Sequence, residues 1–212
     1  MKILNLYACL GGNRYKWNEV LEGIEVTAVE LDPELCRMYK ERFPNDTVVC
    51  TDAHEYLLDH YKEYDFIWSS PPCPTHSRIQ HSMKTTRKMQ YPDMKLYQEI
   101  ILLQTFFEGL YVVENVIPYY TPLIPAKQIG RHLFWANFRL PLNHKANDIK
   151  LRKQNDISSL EAHHQIDLSA YSGKQDKRKI GRNLVHYDTG KAIFAAALGM
   201  YKSKNTNQQT IF

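Results

Sequence analysis

A cysteine and a glutamate carry the most specific chemical signal in this chain. Cys73 lies within residues 69–77, SSPPCPTHS, directly after the apolar run 66–68. Glu114 ends a later apolar run and opens the tripeptide ENV. Two prolines stiffen the backbone before the cysteine, and ligands of open α/β sheets bind beyond strand ends. The pattern therefore predicts a rigidly held thiol nucleophile and a carboxylic acid at one sheet edge.

Each of these residues also has a purely structural interpretation. A lone cysteine is commonly a small buried apolar residue, and a glutamate at a strand end is commonly solvated. The position of Cys73 after Pro71 and Pro72 favours the nucleophile. Glu114 follows two valines, so we expect partial desolvation and a neutral carboxyl group that can donate to a ring nitrogen.

Three further positions could bind a nucleoside. Residues 7–12, YACLGG, form a small-residue turn, Glu30 ends the second apolar run, and Asp52 follows the third. A carboxylate at the second position can accept from both ribose hydroxyls, and Asp52 could accept from an adenine amino group. The glycine turn is common, however, and both acids could simply serve the helices that follow. Because no phosphate-gripping loop is present, the set favours S-adenosylmethionine over a dinucleotide.

Short apolar runs rich in β-branched and aromatic residues must position these groups. Such runs alternate with helix-like segments, which predicts an α/β fold with a parallel, helix-covered sheet. The predicted strands are residues 3–7, 24–29, 47–50, 66–68 and 110–113, with a further strand and turn in 131–138.

Capping signals place the helices. Asp32 before Pro33 predicts a helix that stops at Phe43, and Asp52 predicts a cap for residues 53–60. Further along the chain, the signal SSLE at 158–161 predicts a short helix within 158–168, and an alanine-rich closing helix is predicted at 189–200.

Composition limits the class of protein. The 212 residues suit one domain, and the net charge of +4 is compatible with a polyanionic partner. Four cysteines without a C-x-x-C pair, and nine histidines without ligand spacing, predict neither a disulfide framework nor a metal site. No apolar stretch approaches a membrane span, so we expect a soluble cytoplasmic protein of a bacterium or a phage-infected cell.

The motifs resemble those of the DNA cytosine-5 methyltransferase family and occur in family order across nearly the whole chain. Pro72-Cys73 resembles the nucleophile motif, and residues 114–116 match the glutamate-asparagine-valine motif without change. Residues 5–12 resemble the first motif, from which Asn5 and Cys9 depart. The resemblance implies a Rossmann-like S-adenosylmethionine-dependent methyltransferase fold, with a mostly parallel sheet and helices on both faces.

The resemblance also implies roles for individual residues. Catalytic roles fall to Cys73, Glu114 and Arg131, although residues 128–131 match the family's arginine motif only loosely. Residues 181–185, GRNLV, resemble the last motif with an inserted arginine. Cofactor-binding roles fall to Tyr7, Ala8, Gly11, Gly12, Glu30, Leu31, Asp52, Ala53, Pro71, Asn183 and Val185.

The reaction implied is methyl transfer to C5 of cytosine in double-stranded DNA, through a cysteine adduct at C6 of a flipped-out base. One catalytic domain is expected at 1–201 with a tail at 202–212, and only about 140–157 remains for target recognition. We therefore expect short or relaxed specificity or a specificity partner subunit, as would suit a phage or mobile element. Basic segments 78–91 and 145–153 are the predicted phosphate contacts.

Three other functions remain open from the sequence. An exocyclic amino methyltransferase that acts on N4 of cytosine has a related Ser-Pro-Pro motif, but its aromatic residue is replaced here by Cys73. An RNA cytosine-5 methyltransferase could use the same scaffold. A non-catalytic DNA-binding subunit is disfavoured because Cys73 and Glu114 are both present.

Overall fold

A computed structural model describes residues 1–78, 90–147 and 156–202 of the protein. One seven-stranded sheet organises these residues, in the order β3-β2-β1-β4-β5-β7-β6. The first five strands are parallel and β7 is antiparallel to both of its neighbours. The strands are β1 Lys2–Leu6, β2 Glu25–Glu30, β3 Thr47–Cys50, β4 Phe66–Ser69, β5 Leu110–Val116, β6 Lys127–Ile129 and β7 His132–Ala136.

Helices cover both faces of the sheet. They are α1 Pro33–Arg42, α2 Ala53–His60, α3 Lys95–Phe106, α4 Ile157–His164, α5 Lys177–Asn183 and α6 Tyr187–Ala197, with short 3-10 turns at Trp17–Glu19 and Tyr61–Glu63. One apolar cluster joins α2 and α3 to one face, and a second joins α6 and Trp17 to the other. The predicted α/β fold with a mostly parallel sheet is confirmed.

The five predicted parallel strands are confirmed, and so is the strand within 131–138. The central strands β1, β4 and β5 are buried almost throughout, which explains their continuous apolar runs. Asp32 and Asp52 cap α1 and α2 as predicted, each through one carboxylate oxygen that accepts two backbone N–H groups. None of the helices in the described part of the chain is long and apolar enough to span a membrane.

Two helix starts differ from the prediction. Helix α4 begins at Ile157, where Asp156 accepts from the Ser159 N–H, so Ser158 is not the cap. Glu161 accepts from the Leu168 N–H beyond the helix, which leaves no capping box at its start. Helix α6 begins at Tyr187 instead of 189, because the His186 side chain caps it by accepting from the Asp188 N–H.

The strand order places the site. The strands after β1 are added on one side of it as far as β3 and on its other side from β4 onward, so β1 and β4 form the switch point of the sheet. The crevice at such a switch point is where open α/β sheets bind ligands. The turn after β1 and the loop that carries Cys73 after β4 both leave the sheet there. Most of the two basic segments predicted to contact phosphates lies outside the described residues, at 79–89 and 148–153.

Candidate active site

Cys73 lies on a short turn beyond the carboxyl end of β4. Its carbonyl oxygen accepts from the N–H groups of His76 and Ser77, both at 3.0 Å, so residues 73–77 form a compact helical turn. The Asn115 side-chain amide donates to the Pro71 carbonyl oxygen at 2.9 Å and ties the loop to β5. The thiol is therefore held on a short, fixed segment of backbone and is half-buried.

The surroundings of Cys73 keep its thiol protonated. Burial, and next the negative charge of Glu114, raise the pKa of Cys73 to about 11, while the positive charges of Lys179 and Arg131 lower it. A thiol with this pKa holds very little thiolate at neutral pH. Since Glu114 contributes to the shift, any ligand that shares a proton with this carboxylate would make Cys73 easier to ionise.

Glu114 is buried in β5 and stands beside a histidine of the neighbouring strand. His132 Nδ1 lies 3.5 Å from Glu114 Oε1, and both side chains are under a tenth exposed. Glu114 pairs with Phe134 across the antiparallel ladder, so His132 is its diagonal neighbour on the same face. Burial, and next the charge of Arg131, lower the pKa of His132 to about 3, which keeps this imidazole neutral. The predicted desolvation of Glu114 is confirmed.

Arg131 approaches the site from the start of β7. Its Nη2 atom donates to the Arg182 carbonyl oxygen at 2.6 Å and so joins β7 to α5. Its charge acts on both Cys73 and His132. Glu114 and Arg131 therefore lie within electrostatic reach of Cys73, and so does Lys179 of α5, which the sequence did not single out.

The pH dependence of Cys73 alkylation tests the raised pKa of this thiol. In the protein alone, we expect the rate of reaction with iodoacetamide to rise about tenfold per pH unit between pH 7 and 9, because the thiol pKa lies well above that range. A short unstructured peptide with one internal cysteine, measured in parallel, should begin to level off above about pH 8.5. Peptide mass spectrometry would assign the rate to Cys73, and a plateau below pH 8 would contradict the raised pKa.

A cavity of about 120 Å³ adjoins residues 71–76, the loop that carries Cys73. Tyr7, Asp52, Pro71 and Leu96 are among its lining residues. Asp52 caps α2 through Oδ1 only, so Oδ2, which lies 3.9 Å from Lys95 Nζ, can accept from an adenine amino group. The volume is below the roughly 300–1,000 Å³ of a complete small-molecule pocket, so the cavity would take the aromatic end of the cofactor.

Glu30 ends β2 beside the turn that follows β1. Its Oε2 accepts from the Cys9 N–H at 2.9 Å, and its Oε1 accepts from the N–H groups of Leu31 and Asp32. Each carboxylate oxygen has a second lone pair for a ribose hydroxyl. Leu31 is 66% exposed, which leaves an apolar side chain next to this carboxylate. These residues fit a nucleoside, and their contacts with it stay a prediction.

The turn after β1 is strained at two side-chain-bearing residues. Tyr7 and Cys9 have φ of 56° and 48°, in the left-handed region that favours glycine. Cys9 takes the place of a glycine in the family's first motif, and this φ explains why glycine suits the position. Ala8, between them, is buried and donates its N–H to the Val29 carbonyl oxygen.

Neighbouring protein atoms fill the space that a side chain would need at Gly11 and Gly12. A Cβ at Gly11 would lie 2.4 Å from the Phe43 ring, and one at Gly12 would lie 2.6 Å from the Val185 carbonyl oxygen. Gly12 therefore docks the last motif against the first. Asn183 ends α5 and is exposed, while Ala53 is buried in the first turn of α2. The predicted cofactor roles of these residues remain predictions.

A larger cavity of about 920 Å³ lies at the opposite edge of the sheet, around β6 and β7. None of Cys73, Glu114, Tyr7 or Asp52 lines it. The larger cavity is therefore not the candidate site, because Tyr7 and Asp52 line the smaller one. Among residues 1–78, 90–147 and 156–202, no cluster of three or more His, Cys, Asp or Glu side chains is arranged to hold a metal ion.

The switch-point crevice, with one acidic residue at the end of β2 and another after β3, fits the class of S-adenosylmethionine-dependent methyltransferases. Residues 1–117 match the family of C-5 cytosine-specific DNA methylases. The chain belongs to this family, and S-adenosylmethionine is its cofactor.

Solved structures give distant matches. A mutant of DNMT2 from Spodoptera frugiperda is 17% identical, with 82% of this chain and 60% of that chain covered and a TM-score of 0.43. A methyltransferase from Agrobacterium tumefaciens is 18% identical over 57% of this chain and 40% of that chain, with a TM-score of 0.41. A hypothetical protein of Thermus thermophilus is 23% identical over 64% and 73%, with a TM-score of 0.42.

This chain therefore spans less than two thirds of the first two of these proteins. No curated protein matches it significantly. Similarities this distant support no functional assignment.

Proposed function

We propose that the protein methylates C5 of cytosine in DNA through a covalent adduct between Cys73 and C6. The observation that carries the proposal is a half-buried thiol within electrostatic reach of a buried carboxylate, with Asn115 linking their two segments. Family membership supports cytosine C5 as the target. The base must leave the duplex to reach this crevice, at a cost of a few kcal/mol.

The residues divide the chemistry between them. When the flipped base is bound, Glu114 takes up a proton from solvent and shares it with N3 of cytosine. Cys73 gives its own proton to solvent and its thiolate adds to C6, which makes C5 a nucleophile. S-adenosylmethionine supplies the methyl group from its sulfonium. A solvent base then removes the C5 proton, the bond from C6 to sulfur breaks, and Glu114 regains the N3 proton. Sharing of that proton also relieves the charge that raises the Cys73 pKa.

Nucleoside mass spectrometry tests the reaction directly. Unmethylated duplex DNA is incubated with the protein and S-adenosylmethionine, and the nucleosides are then analysed. We expect 5-methylcytosine. N4-methylcytosine would assign the protein to the amino class, methylation of RNA alone would assign RNA, and no product with either would contradict the proposal.

Specificity is proposed to be short or relaxed. Only residues 137–156 separate β7 from α4, which leaves little chain for base recognition. A recognition site of five or more fixed bases for the isolated protein, found by sequencing at base resolution, would contradict this. A partner subunit that supplies specificity would act through the same short region.

Phosphate contacts are proposed at α5, beside the nucleophile. Arg178 and Lys179 are exposed there, and the charge of Lys179 reaches Cys73. In the described part of the two basic segments predicted from the sequence, Arg78 donates to the Pro118 carbonyl oxygen and Lys145 is exposed. A duplex whose flipped base enters the crevice would bring its backbone close to α5.

The salt dependence of DNA binding checks the α5 contacts. The double substitution Arg178→Gln and Lys179→Gln should lower the slope of log affinity against log salt by about 2, since each phosphate contact contributes about 0.9. Fluorescence anisotropy between about 50 and 200 mM salt measures this slope. The matched control is Lys2→Gln with Lys62→Gln, at the amino ends of β1 and β4. An equal loss of slope in both double variants would rule out a specific role for α5.

A further inference from the structure

A fully buried carboxylate lies outside the group of residues assigned to the reaction. Glu99, in the middle of α3, is 0% exposed. Its Oε1 accepts from the Tyr7 hydroxyl at 2.6 Å and faces His54 Nδ1 at 3.0 Å. Its Oε2 accepts from the Ser69 hydroxyl at 2.6 Å. Side chains from three other parts of the sheet edge therefore converge on one carboxylate.

Packing alone does not require this arrangement. Leu96, Ile100 and Leu103 bury the same helix against the sheet, and an apolar residue at position 99 would continue that surface. A buried charge is costly unless it is paired and hydrogen-bonded. The hydrogen bond with Glu99 is the main cause that raises the pKa of His54, and it favours the protonated imidazole beside this carboxylate.

The partners of Glu99 lie next to residues of both the cofactor cavity and the nucleophile loop. Tyr7 itself lines the cavity, and His54 follows Asp52 in α2. Ser69 is the last residue of β4, and Pro71, two residues later, both lines the cavity and accepts from Asn115. One carboxylate thus joins the cofactor side of the crevice to the segment that presents Cys73.

The Tyr7 hydroxyl makes a hydrogen bond that a phenylalanine at this position could not make. The family's first motif has phenylalanine at this position, and the tyrosine hydroxyl here is bonded to Glu99. Tyr7 also holds a left-handed backbone conformation, so its ring direction needs support from outside the turn. The bond to Glu99 provides that support from α3.

We propose that Glu99 is a positioning residue that couples cofactor binding to the placement of the Cys73 loop, through Tyr7 on one side and Ser69 on the other. A bound cofactor that fixes the Tyr7 ring fixes Glu99, and Glu99 fixes the end of β4 through Ser69. The loop is then held in its half-buried geometry. The proposal deepens the proposed function, and its test needs no methyl transfer.

Two measurements on the whole protein test the coupling. Calorimetry gives the affinity for S-adenosylhomocysteine, and the rate of Cys73 alkylation with and without a saturating amount of it gives the effect on the loop. In the wild type, we expect saturation to slow alkylation at least about fivefold, the lower range of ordinary coupling between sites. Tyr7→Phe, which removes only the hydroxyl, should weaken binding about tenfold, because it breaks a bond to a buried charge.

Ser69→Ala should abolish the slowing, so that the two alkylation rates agree within about a factor of two when the ligand saturates the protein. Glu99→Gln keeps a hydrogen-bonding side chain of the same shape and should retain more of the coupling than Glu99→Ala. Tyr56→Phe is the control for Tyr7, because the Tyr56 hydroxyl bonds to Tyr64 and not to Glu99. Wild-type affinity in Tyr7→Phe, or undiminished slowing in Ser69→Ala, would overturn the proposal.

The coupling through Glu99 and the proposed methylation can each fail without the other. If the protein makes no methylcytosine but the coupling is found and is lost in Ser69→Ala, the proposed function fails and the role of Glu99 stands. If methylcytosine forms but neither variant changes binding or alkylation, the role of Glu99 fails and the proposed function stands.

Discussion

Cys73→Ser is expected to lower the rate of 5-methylcytosine formation at least about a thousandfold. The adduct at C6 needs a thiolate, and a serine hydroxyl is a far weaker acid and nucleophile under the same conditions. Exchanging sulfur for oxygen in a half-buried side chain leaves the turn at 73–77 and the Asn115 contact in place. Nucleoside mass spectrometry measures the rate, and calorimetry with S-adenosylhomocysteine on the same variant shows whether the cofactor site is retained.

The control for this substitution is Cys50→Ser, an exposed thiol at the end of β3. Its rate should stay within about twofold of wild type, as is usual for a surface change. Duplex DNA with 5-fluorocytosine, incubated with S-adenosylmethionine, gives a second readout, because fluorine takes the place of the C5 proton and cannot leave as a cation, so the methylated adduct persists. The wild type should remain attached to this DNA under denaturing conditions. Product from Cys73→Ser above about a tenth of the wild-type rate would contradict the covalent route.

Glu114→Gln is expected to lower the methylation rate by about 10²- to 10⁴-fold, the usual contribution of a positioned general acid. Glutamine has nearly the same shape and keeps a polar group beside His132, but it has no acidic proton to give to N3 of cytosine. The same substitution removes a negative charge that raises the pKa of Cys73. Alkylation of Cys73 in the protein without DNA should therefore become faster.

The pH dependence of Cys73 alkylation separates a chemical effect of this substitution from unfolding. A misfolded variant would lose methylation, and its alkylation would lose the steep rise with pH that the raised pKa of Cys73 predicts. Glu108→Gln, an exposed carboxylate just before β5, is the matched control and should change neither rate by more than about twofold. If Glu114→Gln slowed alkylation as well as methylation, the assigned electrostatic link between Glu114 and Cys73 would be wrong.

Placement of His132 beside Glu114 has a consequence for how the acid works. The imidazole is neutral, so it offers Glu114 one hydrogen-bonding nitrogen without adding a positive charge. A charged neighbour would stabilise the carboxylate and oppose its protonated form. The strand pairing between β5 and β7 thus supplies a neighbour compatible with an acid that must hold and give up a proton.

Local signals in the sequence were sufficient for most of the fold. The apolar runs predicted β1 to β5, and the Asp-Pro start and the single aspartate predicted α1 and α2, because each of these signals acts within a few residues. Prediction failed at the starts of α4 and α6. There the caps are Asp156 and His186, and local patterns of serine and threonine gave no sign of either.

The residues of the candidate site could likewise be predicted only in part from the sequence. Cys73, Glu114, Glu30 and Asp52 could be found in the sequence because each follows a recognisable strand and matches a short motif. Contacts between residues far apart in the chain could not be found. These include Tyr7 and Ser69 with Glu99, His132 with Glu114, and Lys179 near Cys73.

The sequence by itself determined the family motifs, the α/β alternation and the residues able to attack and protonate a ring. Only the tertiary structure decided which charges surround the thiol and that Glu114 is buried beside a neutral imidazole. It also decided that position 12 must be glycine, because a side chain there would collide with the Val185 carbonyl oxygen. The physical reason is one of range. Strand and cap preferences depend on neighbours in the chain, whereas burial and electrostatic environment depend on the segments that the sheet order brings together.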